Sequence, residues 1–194
     1  IENYFLWSRK KMRNRIRDIV MISLFTALTA VGAFIKIPIP HVPLTLQTLM
    51  VMSAGLILGS RLGALSQLLY LTIGLIGLPI FAQGGGPGYV LQPSFGFLVG
   101  FIAGAFVIGK IVEKEESLSF SRTLAALLMG QAAIYILGLS YLYFNLNFIV
   151  HKPVSISTTL KIGLLVFIPG DILKTIVAAS VMAPIRKRLI LIRQ

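Results

Sequence analysis

"FIPGDILKTIVAASVMAP", Phe167 to Pro184, sets an aspartate and a lysine, Asp171 and Lys174, inside an otherwise apolar run. On a helix, an i, i+3 spacing lays both side chains on one face. If that helix crosses a membrane, the pair falls roughly midway between Lys161 and Arg186, near the bilayer centre. Insertion scales charge about 2.5–3.5 kcal/mol for each such residue, or on the order of 5–7 kcal/mol for two left unsatisfied. The pair must therefore face the interior of a bundle. One reading is an ion pair that joins helices; the other is a polar site for a zwitterionic or carboxylate-bearing ligand. Buried ion pairs are poor sources of stability, which favours the second. So do Pro169 and Gly170 just ahead of the pair, because proline removes a backbone donor and kinks a helix beside it.

The composition agrees with a membrane setting. Of 194 residues, 56% are hydrophobic and 12% charged, with a mean hydropathy of +0.89, whereas soluble domains carry roughly 25% charged residues. The chain reads as an all-α integral membrane protein folded as one compact bundle. A net charge of +12 would suggest nucleic acid in a soluble protein. Here the basic residues sit at the ends of apolar runs, where they mark the cytoplasmic side, so the lipid bilayer is the expected partner. There are no cysteines, which excludes a disulfide framework or a thiolate metal site. His41 and His151 stand alone, without partners at metal-ligand spacing, and no cofactor is expected.

Breaks at charges and at Pro and Gly clusters give six candidate spans, approximately 17–36, 44–60, 62–79, 95–112, 122–146 and 160–185, with ends good to about 2–4 residues. The second and third, joined near Ser60 and Arg61, predict a tight helical hairpin. An even number of spans puts both termini on one side, and the basic residues make that side cytoplasmic: only Lys36, Lys152 and Lys161 would then face outward. The outer connections are "IPIPHVPLTLQ", "IFAQGGGPGYVLQPS" and "NFIVHKPVSIST". Their irregular backbone is expected where a cavity needs it, so a site opening outward is the natural expectation. The domain layout is a basic N-terminal segment 1–16, a transmembrane domain 17–186 and a basic cytoplasmic tail 187–194. Within the first, residues 1–11 precede the first methionine, Met12, and read either as an added remnant or as an extension from an earlier start. The basic segment and the apolar run after it resemble a secretory leader, but no A-x-A cleavage site follows, so the run is read as a retained first helix.

Several motifs have plain structural readings. "GAFVIGKI", Gly104 to Ile111, formally matches the start of a phosphate-binding loop, but Ile111 stands where Ser or Thr must hold magnesium and no strand precedes it. Gly96, Gly100 and Gly104 instead form a ridge at four-residue spacing for close helix packing. Ser23, Ala27, Ala30 and Ala33 form a small-residue face on the first helix, suited to internal packing or to docking a separate membrane subunit. In "AQGGGPGYVLQ", Ala82 to Gln92, the glycines suit a flexible connection or a loop lying against a ligand. Gln83, Tyr89 and Gln92 supply amide and phenol hydrogen-bonding groups there.

Taken together, "VPLTLQTLMVMSAGLILGSRLGALSQLLYLTIGLIGLPIFAQGGG", "QPSFGFLVGF", "IYILG" and "FIPGDILKTIVAA" resemble BioY, the family of biotin-specific substrate-binding (S) subunits of energy-coupling factor (ECF) transporters. The resemblance runs from about Ala27 to Pro184, and "TLQTL", "GLPIFA" and "PGDILK" in this order are highly specific. It implies six transmembrane helices, an outward pocket covered by outer loops, and a place in the cytoplasmic membrane of a prokaryote. It also implies partners, a transmembrane coupling (T) subunit and two cytoplasmic ATPase subunits; the chain itself would be no enzyme. "PGDILK" carries the family's polar binding residues onto Asp171 and Lys174, and Gln83 falls where the family offers an amide. Tyr89, Gln92, Tyr135, Thr45 and Gln47 complete the candidate substrate-binding set, and Ser23, Ala27 and Ala30 the candidate docking face. Where the family commonly reads Gly-Pro-Thr and then Gly-Tyr, this chain has Gln92-Pro93-Ser94-Phe95-Gly96-Phe97. That gives a bulkier rim at Gln92 and no tyrosine hydroxyl at Phe97.

Biotin suits the residues. Asp171 can accept from its ureido group and Lys174 can meet an anionic oxygen, with Tyr89, Tyr135 and apolar side chains around the rest; mostly apolar pockets with a few placed polar groups are usual for small ligands. Which polar end meets which residue stays open, and Lys174 can equally serve to orient Asp171. The alternatives are an S subunit for another vitamin and a structural membrane protein whose Asp–Lys pair joins helices. A membrane-embedded enzyme is disfavoured, because no nucleophile–base pair or metal-ligand set accompanies the buried carboxylate.

Overall fold

A computed structural model describes residues 2–113 and 119–193; Lys114, expected among the inner basic residues, lies outside them, as do Ile1 and Gln194. The helices are α1 Glu2–Phe34, α2 Gln47–Leu58, α3 Ser60–Leu75, α4 Phe95–Val112, α5 Phe120–Phe144, α6 Ile156–Leu160 and α7 Ile168–Arg193. Among the described residues, four stretches are long and apolar enough to cross a membrane: Arg15–Phe34, Phe95–Val112, Phe120–Ile149 and Ile168–Arg186. Their outer faces carry Ile19, Leu24, Phe106, Met129, Ile136 and Leu173 exposed, the surface that lipid rather than water accepts. The backbone of α1 runs through the basic segment without a break, and that of α7 continues past Arg186 into the expected tail.

Two expected spans differ from what folds. The second, expected from residue 44, begins as a two-stranded antiparallel hairpin, β1 Lys36–Ile37 with β2 Leu44–Thr45. Pro38, Pro40 and Pro43 withhold backbone donors there, and the helix starts only at Gln47. With 12 residues, α2 is about 18 Å long, well short of the roughly 30 Å hydrocarbon thickness. It turns into α3 at Gly59, whose φ of +83° suits a residue without a Cβ. The sixth expected span is broken. Residues 156–165 are helical, first as α6 and then as a wider π turn at Lys161–Leu165; Val166 and Phe167 interrupt the helix before α7 begins. Pro169 has no N–H for the Leu165 carbonyl, which explains the interruption.

The centre is the α4–α5 contact, the most extensive in the bundle. A Cβ on Gly96 would lie 2.2 Å from Tyr141 Cβ, one on Gly100 2.8 Å from the Ile134 carbonyl oxygen, and one on Gly104 2.6 Å from Ile134 Cγ1. The glycine ridge therefore lets the α5 backbone come close. The phosphate-loop-like "GAFVIGK" lies within α4. Around this contact pack Tyr70, Phe81, Phe97, Phe101, Ile134 and Leu142 towards one end, and Met52, Leu56, Ile108, Leu127 and Ala178 in a second cluster. The end beyond the second cluster is pinned by Glu113, which accepts from Ser60 Oγ at 2.5 Å, and by Arg186, which donates to the Val112 carbonyl. The hairpin and the 76–94 connection cap the opposite end.

Candidate functional site

The break before α7 places Asp171 in that helix's first turn, where its backbone N–H still bonds the Phe167 carbonyl at 2.9 Å. Lys174 lies one turn on, its Nζ 2.5 Å from Asp171 Oδ1. Both residues are buried, at 6% and 7% exposure, so their hydrogen-bonding capacity must be met within the protein. The ammonium has three protons and three partners: Asp171 Oδ1, Thr48 Oγ1 at 2.6 Å and the Thr45 carbonyl at 3.1 Å. On Oδ1 the Thr48 hydroxyl also donates, at 3.5 Å. Oδ2 accepts from Gln131 Nε2 at 2.7 Å and from the Tyr135 hydroxyl. Each carboxylate oxygen thus has two donors, close to the full capacity of an ionised carboxylate. The closed arrangement explains how the pair is tolerated in the bundle.

This knot forms one wall of a pocket with about 520 Å³ of unfilled space, its open mouth included. The hairpin contributes Val42, Pro43, Leu44 and Thr45, α2 Gln47 and Thr48, and α4 Phe97, Leu98 and Phe101. Gln131, Ile134 and Tyr135 come from α5, and Phe167 lies at the α7 break. Ala82, Tyr89 and Ser94 close it from the α3–α4 connection. Phe97 stands edge-on to Tyr135, ring centroids 6.3 Å apart. The surface is mainly aromatic and aliphatic, with its charge confined to the α7 pair.

Supporting bonds fix the wall. Thr45 Oγ1 donates to Gln47 Oε1 at 3.0 Å, Gln47 Nε2 to the Tyr70 hydroxyl at 2.7 Å, and that hydroxyl to the Ile80 carbonyl at 3.0 Å. The α2 start is thereby tied to the 76–94 connection that carries Ala82. Lys36 of the hairpin donates to the Ala82 carbonyl, joining the two covering segments directly. Tyr89 packs on Phe81 with centroids 4.5 Å apart, and its hydroxyl meets Ser94 Oγ at 3.2 Å. Burial raises the Tyr89 phenol above its ordinary value, against the lowering effect of the Ser94 bond, so it stays neutral at physiological pH.

Of the residues expected from the sequence, Asp171, Lys174, Tyr89, Tyr135, Thr45 and Gln47 meet at this pocket. Gln83 and Gln92 are exposed and off its wall; Gln83 Oε1 accepts from Ser94 Oγ at 3.4 Å, one residue removed. Sequence reading passed over Thr48, Ser94 and Gln131. The signal for Gln131 was its place one helical turn before Tyr135, an amide within an apolar span. On α1, Ser23 and Ala27 are exposed, Ala30 is half-buried against the core and Ala33 is fully buried. The small-residue face therefore turns from the surface into the bundle along its length. Among the described residues, no group of three or more His, Cys, Asp or Glu could hold a metal ion.

Known proteins are similar to this chain in sequence and fold. The family model of the BioY family matches residues 8–190. A probable biotin transporter BioY of Lysinibacillus sphaericus is 47% identical over 162 residues, covering 84% of this chain and 83% of the relative. The biotin transporter BioY of Thermotoga maritima is 40% identical over 173 residues, 89% of this chain and 97% of that one. The crystal structure of the S-component for biotin from an ECF-type ABC transporter superposes with a TM-score of 0.78 at 30% identity, covering 90% of this chain and 93% of the other. With a match spanning nearly the whole bundle and every element of the pocket, the chain belongs to the BioY family.

Proposed function

We propose that this protein binds biotin in the pocket between α2, α4, α5 and α7, as the substrate-specific subunit of an ECF-type transporter. The observation that carries the reading is the buried Asp171–Lys174 knot, set at the wall of an otherwise apolar pocket within a chain of the BioY family. Biotin pairs an apolar bicycle and chain with a ureido group and a carboxylate, and such a wall accommodates both characters. Biotin is cargo here, and the reading needs no resident cofactor or metal.

The finer assignments follow from the same reading. Six membrane crossings with both termini cytoplasmic are supported by the basic residues: Arg61, Lys110 and Arg186 lie at one end of the bundle, where Ser60 bonds Glu113 and Arg186 bonds the Val112 carbonyl, and cationic ends favour the cytoplasm. The pocket's covering segments occupy the other end, so it opens outward. The short α2 crosses only with help from the hairpin before it. The membrane is the cytoplasmic membrane of a prokaryote, as the bacterial relatives suggest. A transmembrane coupling subunit and two ATPases supply the energy, and the exposed small residues Ser23 and Ala27, with the half-buried Ala30, form the face that meets the coupling subunit.

Equilibrium binding of labelled biotin to detergent-purified protein tests the reading. Saturable one-site binding, competed by biotin and not by other vitamins, is the expected result. A folded, monodisperse protein that binds a different vitamin, or none, overturns it.

A further inference from the structure

We propose that Gly138 is a positioning residue for the pocket: by lacking a side chain it seats the Phe97 ring against α5 and keeps that ring out of the space the ligand needs. The inference rests on the biotin reading and deepens it. It also gives a use to the glycine of "IYILG", which does not itself line the pocket. Gly138 is buried on α5, three residues after Tyr135 and four after Ile134, spacings that keep it on the same side of the helix. Both of those residues line the pocket.

Where a side chain at 138 would project, the Phe97 ring lies instead. A Cβ on Gly138 would stand 2.4 Å from Phe97 Cδ1, 2.5 Å from Cε1 and 2.6 Å from Cγ, well inside the roughly 3.5–4.0 Å of a favourable carbon–carbon contact. Even one methyl group therefore displaces the ring. The helices do not part to accommodate it, because Gly96 and Gly100 flank Phe97 and already bring α4 against α5. Their own Cβ atoms would lie 2.2 Å from Tyr141 Cβ and 2.8 Å from the Ile134 carbonyl oxygen, and opening that seam gives up the most extensive contact of the bundle. Beside the ring, Tyr135 stands edge-on with its hydroxyl bonded to Asp171. The side that remains is the unfilled pocket, which Phe97 lines. Close-packed surroundings transmit strain towards whatever space is free, so a methyl at 138 turns the ring into the ligand's place.

A two-residue cycle tests this. Labelled biotin is titrated against wild type, Gly138→Ala, Phe97→Ala and the double variant, each checked for monodispersity and Tm. Gly138→Ala is expected to bind about 100-fold more weakly, as when the ligand-competent state is only about 1% populated. Its Tm should stay close to wild type, because alanine favours a helix over glycine and the displaced ring fills the pocket. Phe97→Ala weakens binding by itself, since it removes part of the wall. Adding Gly138→Ala to it should cost less than about 3-fold further, the non-additivity of two groups that act through one contact. A glycine needed only for helix packing gives the same loss on both backgrounds, and that result overturns the proposal. So does Gly138→Ala binding as tightly as wild type. Should Gly138→Ala not fold, the double variant decides: one that folds and binds as Phe97→Ala does supports the proposal, and one that fails to fold where Phe97→Ala succeeds overturns it. Failure of folded wild type to bind biotin at all is a different outcome, which removes the proposed function and this inference with it.

Discussion

A carboxylate and an ammonium buried within a bundle stabilise it only while both remain and their other valences are filled. Lys174→Ala leaves Asp171 charged, with three neutral donors and no cation, a loss of about 3–5 kcal/mol for breaking such a pair. The expected result is a marked drop in Tm in detergent together with loss of biotin binding. The double variant Asp171→Leu with Lys174→Met removes both charges, and its Tm should recover to near or above wild type while binding stays lost. A double variant that binds biotin normally would take the pair out of the site. Asp171 and Lys174 were legible in the sequence because two charges interrupt a long apolar run, and nothing but a paired interior accounts for them. Thr48 and Gln131 were not, since hydroxyls and amides recur in apolar helices; Ser140, for instance, merely bonds the Ile136 carbonyl one turn back. Only the fold shows which of them face the carboxylate.

Two contacts between elements have measurable consequences. At the pinned end, Ser60 Oγ and N donate to Glu113 Oε2 at 2.5 and 3.4 Å, and Lys110 lies 3.0 Å from Oε1. The Ser60 hydroxyl first, and Lys110 second, hold the Glu113 carboxyl down from 4.5 to about 2. A carboxyl depressed on folding adds stability above its unfolded value and loses it as pH falls through the folded one, here between pH 4.5 and about 2. Glu113→Gln should therefore melt below wild type at pH 7, with the gap closing through that window; a gap unchanged at pH 2.5 would show that the charge contributes nothing. At the covering end, Lys36→Ala removes the one side-chain tie from the hairpin to Ala82. Biotin dissociation should quicken severalfold with Tm almost unchanged, as stopped-flow displacement would record, and an unaltered off-rate would dismiss the tie. Neither contact could be read from the sequence, because each joins segments 46 or 53 residues apart. The glycine ridge was legible, since its four-residue period is local, and Pro169 and Gly170 announced a kink that the structure carries through to a break before α7; the hairpin was missed because hydropathy registers apolar character and not whether a proline-rich stretch winds into a helix.

For the molecule as a whole, the two faces of α1 bear on the proposed separation of ligand capture from assembly. The helix is amphipathic in an unusual sense: Thr26 and Thr29 are buried and bond Ser66 and Gln67 of α3, whereas Val20, Leu24 and Val31 are exposed. These two threonines thus fasten it to the bundle alongside the buried Phe25 and Ala33, while Val20, Leu24, Ala27 and Val31 face outward, towards lipid or another membrane subunit. Ala27 lies on that outward face and none of the pocket lining comes from α1. Ala27→Trp should therefore leave biotin affinity and Tm within error of wild type while it blocks co-purification of the transmembrane coupling subunit and stops ATP-dependent uptake in vesicles. Ala30→Trp is the less clean experiment, since Ala30 packs partly against the core and a large side chain there also strains the bundle. If Ala27→Trp retains both the coupling subunit and uptake, assembly uses another surface. If it loses biotin binding as well, α1 and the pocket are coupled through the buried Thr29–Gln67 contact, and capture and assembly are not separable in this bundle.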